Sequence, residues 1–257
     1  MVTYLLKKSY QLKDFKETKF RDLWGDHGVF TTMWIFGQPP KILFFQNHIK
    51  NLVKSLHDYE IKKKFIKNDI IRIINTNLSK NFKYNHLLRI ALNKKMISIS
   101  LRKRLTPKLD FNLKLVNLKR ENPKYKNLKY KKILFHLSKM DNSKSDIALV
   151  NKNKILETGT SNLLFLKKDK VFMPKKDFYE GITYKFLKTK INKITKKEIL
   201  IKDLFEYDEI LLIGSGKGIA SVKTIKEIGW KRKNLNQFRK LTKYYQLAKK
   251  NCKLYKF

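Results

Sequence analysis

The sequence predicts a mixed α/β fold of the α+β type. Two segments in the second half, DIALVNKNKILETG at 146–159 and NLLFLKKDKVFMP at 162–174, each contain two apolar runs joined by a polar turn, which is the pattern of a β-hairpin. Amphipathic helical patterns lie before and after these hairpins. Because helices and single strands do not alternate strictly, a Rossmann-type parallel sheet is not expected.

The first half contains elements of both kinds. Residues 40–57 pass from a strand-like run into a helix, whose apolar face follows from spacings of three and four residues at Ile49, Leu52, Val53 and Leu56. Residues 86–101 are typical of two strands around a turn at Asn93–Lys95. The basic stretch RKRLTPKLD follows, and we interpret it as a connection. We therefore expect a smaller N-terminal α/β domain at 1–104, a connecting segment at 105–112 and a larger C-terminal domain at 113–257.

The second half begins and ends with further regular elements. Residues 126–140 have a helical pattern, and another helix is expected to open after Gly181, in GITYKFLKTKINKI. The segment DEILLIGSG at 208–216 is typical of a buried strand that ends in a glycine-rich turn.

The composition indicates a folded chain with a strong basic bias. Hydrophobic residues make up 42% of the 257 residues, which excludes a wholly disordered protein. No segment approaches the ~18 consecutive apolar residues of a transmembrane helix. The single cysteine, Cys252, forms no internal disulfide, which fits the cytoplasm.

The net charge of +39 comes from lysines spread over nearly every segment, so we interpret it as a compositional bias. A basic nucleic-acid-binding module is the alternative outside the enzymes.

Three polar turns offer groups that can bind an anion. ETGTSN at 157–162 presents hydroxyls and backbone N–H groups between two strands. EGITYKF at 180–186 opens a helix whose first N–H groups lack internal partners, and IGSGKGIASV at 213–222 is a glycine-rich turn after an apolar strand. The third turn matches neither a P-loop nor a GxGxxG fingerprint. Taken alone, each is most often an ordinary turn or helix start.

The order of these turns resembles that of the class IV pyridoxal-phosphate-dependent enzymes. In that family a strand similar to DIALVN precedes a Glu-x-x-x-Ser-Asn turn, a Gly-Ile-Thr helix start follows, and a strand with a glycine–hydroxyl turn comes last, here Gly214–Ser215. In the first half, RDLWGDHGVFTTMW and ILFFQNHIKNLVKSL also resemble family segments. The resemblance implies fold type IV, with two domains and the active site at their interface.

The resemblance also implies which lysine holds the cofactor. The family lysine lies in a Lys-x-Leu-Asn pattern, and KNLKY matches it with Lys126, although Lys129 stands where Asn is usual. Composition alone leaves the choice open, because four other lysines lie close by: Lys124, Lys129, Lys131 and Lys132. A Schiff-base lysine must lose its proton, which burial and neighbouring cations promote. Once freed by exchange with the substrate, its amine can shuttle protons.

Further residues match positions that bind pyridoxal 5'-phosphate in the family, and no metal is implied. Glu157 matches the glutamate that faces the pyridine nitrogen and makes the ring an electron sink. Ser161 and Asn162 match residues that line the same side of the pocket. The phosphate cradle corresponds to Ile182, Thr183, Ser215 and Gly216.

Some positions depart from the family pattern. Asn51 stands where an arginine reaches the cofactor phosphate, and Trp34 stands where another arginine is common. Ser221 replaces a proline, and the short turn Asn93–Lys95 replaces an arginine- and glycine-rich loop. These departures bear mainly on the identity of the substrate.

The segment Phe30-Thr31-Thr32 is similar to that of the aminodeoxychorismate lyases, whereas aminotransferases of the family usually carry Glu after the aromatic residue. We therefore expect a lyase that converts 4-amino-4-deoxychorismate to 4-aminobenzoate and pyruvate in folate biosynthesis. A class IV aminotransferase that acts on branched-chain or D-amino acids is the alternative. Thr31 is a candidate for a catalytic hydroxyl that faces the substrate, or is simply a β-branched strand residue.

The resemblance also implies how the chain assembles. Family members are homodimers with active sites near the subunit interface, so we expect a cytoplasmic homodimer. A small amino compound is expected as substrate, with neither a specific nucleic acid nor a membrane as partner.

Overall fold

The computed structural model describes residues 3–257, which divide into two compact units. The first unit contains residues up to 104 together with 125–130 and 251–257, and the second contains 105–124 and 131–250. The domain boundaries inferred from the sequence stay a prediction. The structure adds that the short segment with Lys126 belongs to the first unit.

The first unit contains a six-stranded antiparallel sheet in the order β2-β1-β6-β5-β3-β4. Its elements are β1 (Tyr4–Gln11), β2 (Glu17–Thr18), β3 (Gly28–Gly37), β4 (Lys41–Ile42), α1 (Phe45–Asp58), α2 (Ile66–Asn77), β5 (Tyr84–Asn93) and β6 (Met96–Lys103). The predicted hairpin at 86–101 is confirmed. The side chain of Asn93 closes its turn, because its Oδ1 accepts hydrogen bonds from the backbone N–H groups of Lys95 and Met96 at 2.8 and 2.7 Å.

The two faces of this sheet have different roles. Side chains alternate between the faces of a strand, so Val29, Met33 and Ile35 of β3 point to one face, and they belong to a hydrophobic core that also contains Ile49 and Leu52 of α1. The predicted apolar face of α1 is therefore confirmed. Phe30, Thr32 and Trp34 point to the opposite face, here called the aromatic face.

The second unit contains a ten-stranded mixed sheet in which β12-β11-β10-β14-β15-β7-β8-β9-β13 lie in that order and β16 pairs with β15. Its strands are β7 (Phe111–Asn117), β8 (Ser145–Asn151), β9 (Lys154–Thr158), β10 (Asn162–Lys167), β11 (Lys170–Pro174), β12 (Ile194–Lys197), β13 (Ile199–Leu200), β14 (Glu209–Gly214), β15 (Gly218–Ile225) and β16 (Trp230–Lys231). Its helices are α3 (Lys131–Ser138), α4 (Ile182–Lys188) and α5 (Asn236–Lys250). Both predicted hairpins and the predicted strand before Gly214 are confirmed, as is the mixed fold class.

Two helix predictions were too long. The predicted helix at 126–140 is helical at Lys131–Ser138, whereas residues before it are extended, because Asn127 pairs with Val29 of β3. This pairing with a strand far away in the sequence overrides local propensity. The helix after Gly181 ends at Lys188, since the following chain turns and adds Ile194–Lys197 as a parallel strand beside β11. Within residues 3–257, no helix combines the length and apolar character needed to cross a membrane.

Candidate active site

Lys126 lies in the extended segment that pairs with the edge of β3. Its carbonyl accepts a hydrogen bond from the N–H of Phe30 at 2.9 Å, and the N–H of Leu128 donates to the carbonyl of Gly28 at 2.9 Å. Gly28 is required here, because a Cβ atom at this position would clash with the carbonyl of Leu92 and with the side chain of Leu128. The backbone on both sides of Lys126 is therefore held in place, and its Nζ lies 4.8 Å from the centre of the Phe30 ring.

The structure distinguishes Lys126 from the lysines around it. Its side chain is partly buried, whereas four neighbouring lysines are exposed: Lys124, Lys129, Lys131 and Lys132. An amine that reacts as a nucleophile must be neutral, and partial burial disfavours the charged form. The lower exposure of Lys126 therefore supports it as the lysine that holds the cofactor, a choice that sequence composition left open.

Thr31 and His48 form a buried pair in the first unit. Oγ1 of Thr31 lies 2.8 Å from Nδ1 of His48 on α1, within hydrogen-bond distance. Burial, and then the charge of Lys126, lowers the pKa of His48 to about 3. The predicted catalytic hydroxyl of Thr31 thus lies on the helix-covered face of the sheet, and Thr32 is its counterpart on the aromatic face. The catalytic role of Thr31 stays a prediction.

Arginines accompany the aromatic residues of the aromatic face. The guanidinium carbon of Arg89 lies 3.6 Å from the centre of the Trp24 ring and 5.5 Å from that of Phe30. Arg89 is directly opposite Thr32 in the sheet, so the two side chains share this face. Nε of Arg89 is buried, without a hydrogen-bond partner among residues 3–257. Burial, partly offset by the charge of Asp22, lowers the pKa of Arg89 to about 10.

Arg104 lies beside one of the positions that depart from the family pattern. Its guanidinium carbon lies 4.1 Å from the centre of the ring of Trp34, the residue that stands at a common arginine position. Arg102 lies opposite Leu87, which is itself opposite Trp34, so Arg102 also belongs to the aromatic face. Burial lowers the pKa of Arg102. Guanidinium groups are thus concentrated on one face of the first unit.

Glu157 in the second unit is bound on two sides. Arg120 donates from Nε to Oε1 at 2.8 Å and from Nη2 to Oε2 at 3.3 Å, and the backbone N–H of Tyr179 donates to Oε2 at 3.1 Å. Glu157 is 4% exposed and Arg120 is 3% exposed, so this two-pronged pair is almost fully desolvated. Arg120 was not among the residues predicted from the sequence. Its signal was the use of arginine in a chain that otherwise prefers lysine, because only a guanidinium offers this geometry.

Asn162 connects β10 to the start of α4. Its Oδ1 accepts a hydrogen bond from the N–H of Gly181 at 3.0 Å, and its Nδ2 donates to the carbonyl of Tyr179. A Cβ atom at Gly181 would lie 2.9 Å from Oδ1 of Asn162, so glycine allows this close approach. The structure therefore brings Asn162 together with the segment between Glu157 and the helix start at Ile182.

The residues predicted to form the phosphate cradle lie in the second unit, where two of their hydroxyls come close together. Oγ1 of Thr183 lies 3.5 Å from Oγ of Ser215, and Thr183 is buried. Ser161 lies beside the same turn, because a Cβ atom at Gly214 would be 2.8 Å from its Oγ. Gly216 follows Ser215 in the turn between β14 and β15. Together with Ile182 at the start of α4, these residues present hydroxyls and backbone N–H groups, which suit an anion.

A large cavity in the second unit is separate from these residues. It has a volume of about 720 Å³ and lies among β11, β12 and α5, where Lys170, Lys190 and Tyr244 are among its lining residues. None of the predicted site residues lines it. The candidate site is therefore identified by its chemical groups and not by cavity size.

Comparison with known proteins supports the same interpretation. A family model described as amino-transferase class IV matches residues 28–225. No curated protein matches the chain. The chain is similar to a branched-chain aminotransferase from Thermoproteus uzoniensis, solved with norvaline, with a TM-score of 0.76, 15% identity and 95% of each chain covered.

Two further solved structures are similar over most of their length. A putative 4-amino-4-deoxychorismate lyase from Legionella pneumophila gives a TM-score of 0.68 at 18% identity, with 86% of this chain and 91% of that chain covered. The branched-chain aminotransferase from Thermobaculum terrenum in its pyridoxal-phosphate form gives a TM-score of 0.74 at 14% identity, with 94% of this chain and 93% of that chain covered. At these identities the likeness shows the fold, and it confirms fold type IV.

Proposed function

We propose that this chain, which belongs to the amino-transferase class IV family, is a pyridoxal-phosphate-dependent lyase that converts 4-amino-4-deoxychorismate to 4-aminobenzoate and pyruvate. The observation that carries the proposal is the aromatic face of the first unit, where the Lys126 amine and the Arg89 guanidinium both lie against the Phe30 ring. The substrate is a dicarboxylate with an amino group. A reactive amine with guanidinium groups on the same sheet face suits this combination of charges.

The residues present fit pyridoxal 5'-phosphate, the cofactor of this chain. Lys126 would form the covalent bond to its aldehyde, and Glu157 would face the ring nitrogen. The hydroxyls of Thr183 and Ser215, with the backbone N–H groups of Ile182 and Gly216, would hold the phosphate, and Ser161 and Asn162 would line the same side. The Thr183 and Ser215 hydroxyls, whose oxygens lie 3.5 Å apart, support this assignment, because converging hydroxyls beside backbone N–H groups suit an anion.

The bound cofactor supplies an electron sink for the carbon that carries the substrate amino group. Lys126 removes the proton from this ring carbon as the enolpyruvyl C–O bond breaks, and the ring becomes aromatic. The leaving group takes a proton on its methylene carbon and becomes pyruvate. Phe30 covers the lysine amine on one side, with its ring centre 4.8 Å from Nζ.

The remaining side chains orient these groups. Arg120 and the N–H of Tyr179 hold both oxygens of Glu157, so its carboxylate has one orientation. Arg89 and Arg102 would bind the substrate carboxylates on the aromatic face. A guanidinium there forms two parallel hydrogen bonds to a carboxylate, which fixes the angle of the substrate as well as its position.

The proposal is tested with the purified protein, aminodeoxychorismate and no added 2-oxo acid. A lyase regenerates the aldehyde form of the cofactor in each cycle, so 4-aminobenzoate and pyruvate should appear in equal amounts over many turnovers. An aminotransferase of branched-chain or D-amino acids instead needs a 2-oxo acid to complete its cycle. Amino transfer between such substrates, with no 4-aminobenzoate formed, would overturn the lyase assignment and leave the family and the role of Lys126 unchanged.

We also propose that the enzyme is a cytoplasmic homodimer in folate biosynthesis. Exposed apolar side chains such as Leu109, Phe135 and Phe205 supply area that association can bury. A net charge of +39 per chain opposes association, so the dimer should become tighter as salt screens the repulsion. Light scattering that shows an active monomer at physiological salt would contradict this assembly.

A further inference from the structure

A buried ion pair connects a turn of the second unit to strand β8. Nζ of Lys217 lies 3.1 Å from Oδ2 of Asp146, and the Lys217 side chain is 10% exposed while that of Asp146 is fully buried. Nζ of Lys217 also donates to Oγ1 of Thr160 at 2.7 Å, and this hydroxyl donates to Oδ2 of Asp146 at 2.7 Å. Lys217 belongs to the glycine turn, Gly214–Gly218, and Thr160 belongs to the hydroxyl turn, Thr158–Ser161.

The hydroxyl turn is held rigidly around the Asp146 carboxylate. Thr158 donates from Oγ1 to Oδ2 of Asp146 at 3.0 Å, and Oδ1 accepts from the N–H of Ile147 at 2.8 Å. Oγ1 of Thr158 in turn accepts from the N–H groups of Thr160 and Ser161 at 3.2 and 2.8 Å. One cation and several hydrogen-bond donors therefore surround a carboxylate that has no access to solvent, and a buried charge with such partners is costly to disturb.

The glycine turn lies directly against the hydroxyl turn. A Cβ atom at Gly214 would be 2.8 Å from Oγ of Ser161 and 3.0 Å from the carbonyl of Thr160. The next residue, Ser215, has its Oγ 3.5 Å from Oγ1 of Thr183. Because Lys217 is two residues beyond Ser215, its attachment to Asp146 and Thr160 fixes the place of the Ser215 hydroxyl.

We propose that Lys217 is a positioning residue for the phosphate group of the cofactor, acting through the ion pair with Asp146 that locks the glycine turn; this rests on the proposed function. The ammonium acts through the turn and leaves the direct phosphate contacts to Ser215, Gly216 and Thr183. A purely structural role for the pair would instead affect the stability of the whole unit, and it would not discriminate between ligands with and without a phosphate.

The test compares pyridoxal 5'-phosphate with pyridoxal, which lacks the phosphate. Dissociation constants of both are measured by absorbance titration of cofactor-free wild type, Lys217→Met and Lys217→Arg. Lys223→Met is the matched control, because Lys223 is an exposed lysine on the strand that follows the glycine turn. Circular dichroism verifies that each variant is folded.

We expect Lys217→Met to weaken pyridoxal 5'-phosphate on the order of tenfold, as for the loss of one hydrogen bond from a displaced Ser215 hydroxyl to the phosphate, and to leave pyridoxal within about twofold. Lys217→Arg should retain most of the wild-type preference for pyridoxal 5'-phosphate over pyridoxal, and Lys223→Met should behave as wild type. If Lys217→Met does not fold, the double variant Asp146→Asn with Lys217→Met removes both charges and takes its place in the comparison.

The outcomes separate this inference from the proposed function. Wild type that binds pyridoxal 5'-phosphate, together with a Lys217→Met variant whose preference over pyridoxal is unchanged, overturns the role of Lys217 alone. Wild type that binds neither compound overturns the proposed function and the role of Lys217 with it.

Discussion

Nδ1 of His48 lies 2.8 Å from Oγ1 of Thr31, and this hydrogen bond joins α1 to β3 inside the core of the first unit. His48 is 4% exposed, and its pKa is lowered to about 3, chiefly by burial and then by the charge of Lys126. The imidazole is therefore neutral in the folded protein at physiological pH. It gives the site a polar contact without adding a second positive charge beside Lys126.

The depressed pKa of His48 predicts acid instability. The unfolded chain binds a proton on this residue below a pKa near 6.5, whereas the folded chain binds it only near 3. The contribution of neutral His48 to the free energy of unfolding is thus fully present above pH 6.5. It is lost as the pH falls from 6.5 towards 3, by about 2–3 kcal/mol at pH 4.5. Urea unfolding at pH 7 and 4.5 should show this loss in wild type and a smaller one in His48→Leu.

The matched control for this experiment is on the same helix. The side chain of His57 is 82% exposed, so His57→Leu should keep the pH dependence of wild type. An identical pH dependence in His48→Leu and wild type would contradict the prediction.

A second prediction concerns the buried pair of Arg120 and Glu157. Arg120→Gln leaves the Glu157 carboxylate buried without its cation, so the free energy of unfolding should fall by about 3–5 kcal/mol. Arg120→Gln combined with Glu157→Gln removes both charges and should recover much of this loss. Denaturant unfolding of wild type, both single variants and the double variant gives the coupling energy. Additive effects of the two substitutions would show that the pair is not coupled.

The structure explains why the sequence predicted some elements and not others. The hairpins at 146–159 and 162–174 follow from local alternation and polar turns, so the sequence alone was sufficient. Residues 126–130 were predicted as the start of the helix at 126–140, because their extended form depends on β3, which is far away in the sequence. Local patterns contain no information about such a partner.

The site shows the same distinction. The segments around Glu157, Gly181 and Ser215 could be found from their order along the chain, because each is a short motif. The pairs Arg120–Glu157 and Lys217–Asp146 are long-range contacts, so no local motif marks them. Arginine was a partial signal, because in a lysine-rich chain Arg89, Arg102, Arg104 and Arg120 lie in buried or partly buried positions, whereas Arg21, Arg72 and Arg239 are exposed. Lys217 had no such signal.

A third prediction identifies the lysine that carries the cofactor. Borohydride reduction of the protein loaded with pyridoxal 5'-phosphate should place the label on Lys126, because this lysine is partly buried against Phe30. Lys126→Ala should abolish the label and the multiple-turnover activity, whereas Lys129→Ala, an exposed neighbour, should keep both. Peptide mapping by mass spectrometry makes the measurement. A label on Lys129 or Lys131 with none on Lys126 would sink the assignment.

The last prediction decides which threonine hydroxyl serves the reaction. The sequence suggested Thr31, but its hydroxyl is engaged with His48 on the core face, whereas Thr32 lies opposite Arg89 on the aromatic face. Valine keeps the shape of threonine and removes the hydroxyl. Thr31→Val leaves the buried Nδ1 of His48 without its partner, so it should lower the free energy of unfolding by about 1–3 kcal/mol.

Thr32→Val should instead leave stability within about 0.5 kcal/mol and reduce kcat/KM for aminodeoxychorismate on the order of tenfold, because a hydroxyl beside Arg89 can hydrogen-bond a substrate oxygen. Steady-state kinetics of both variants, at a temperature where both are fully folded, make the comparison. A loss of kcat in Thr31→Val with Thr32→Val unchanged would show that the hydroxyl acts through His48 from the core face. The hydroxyl that the sequence motif indicated would then be the catalytic one, even though it lies on the core face of the sheet.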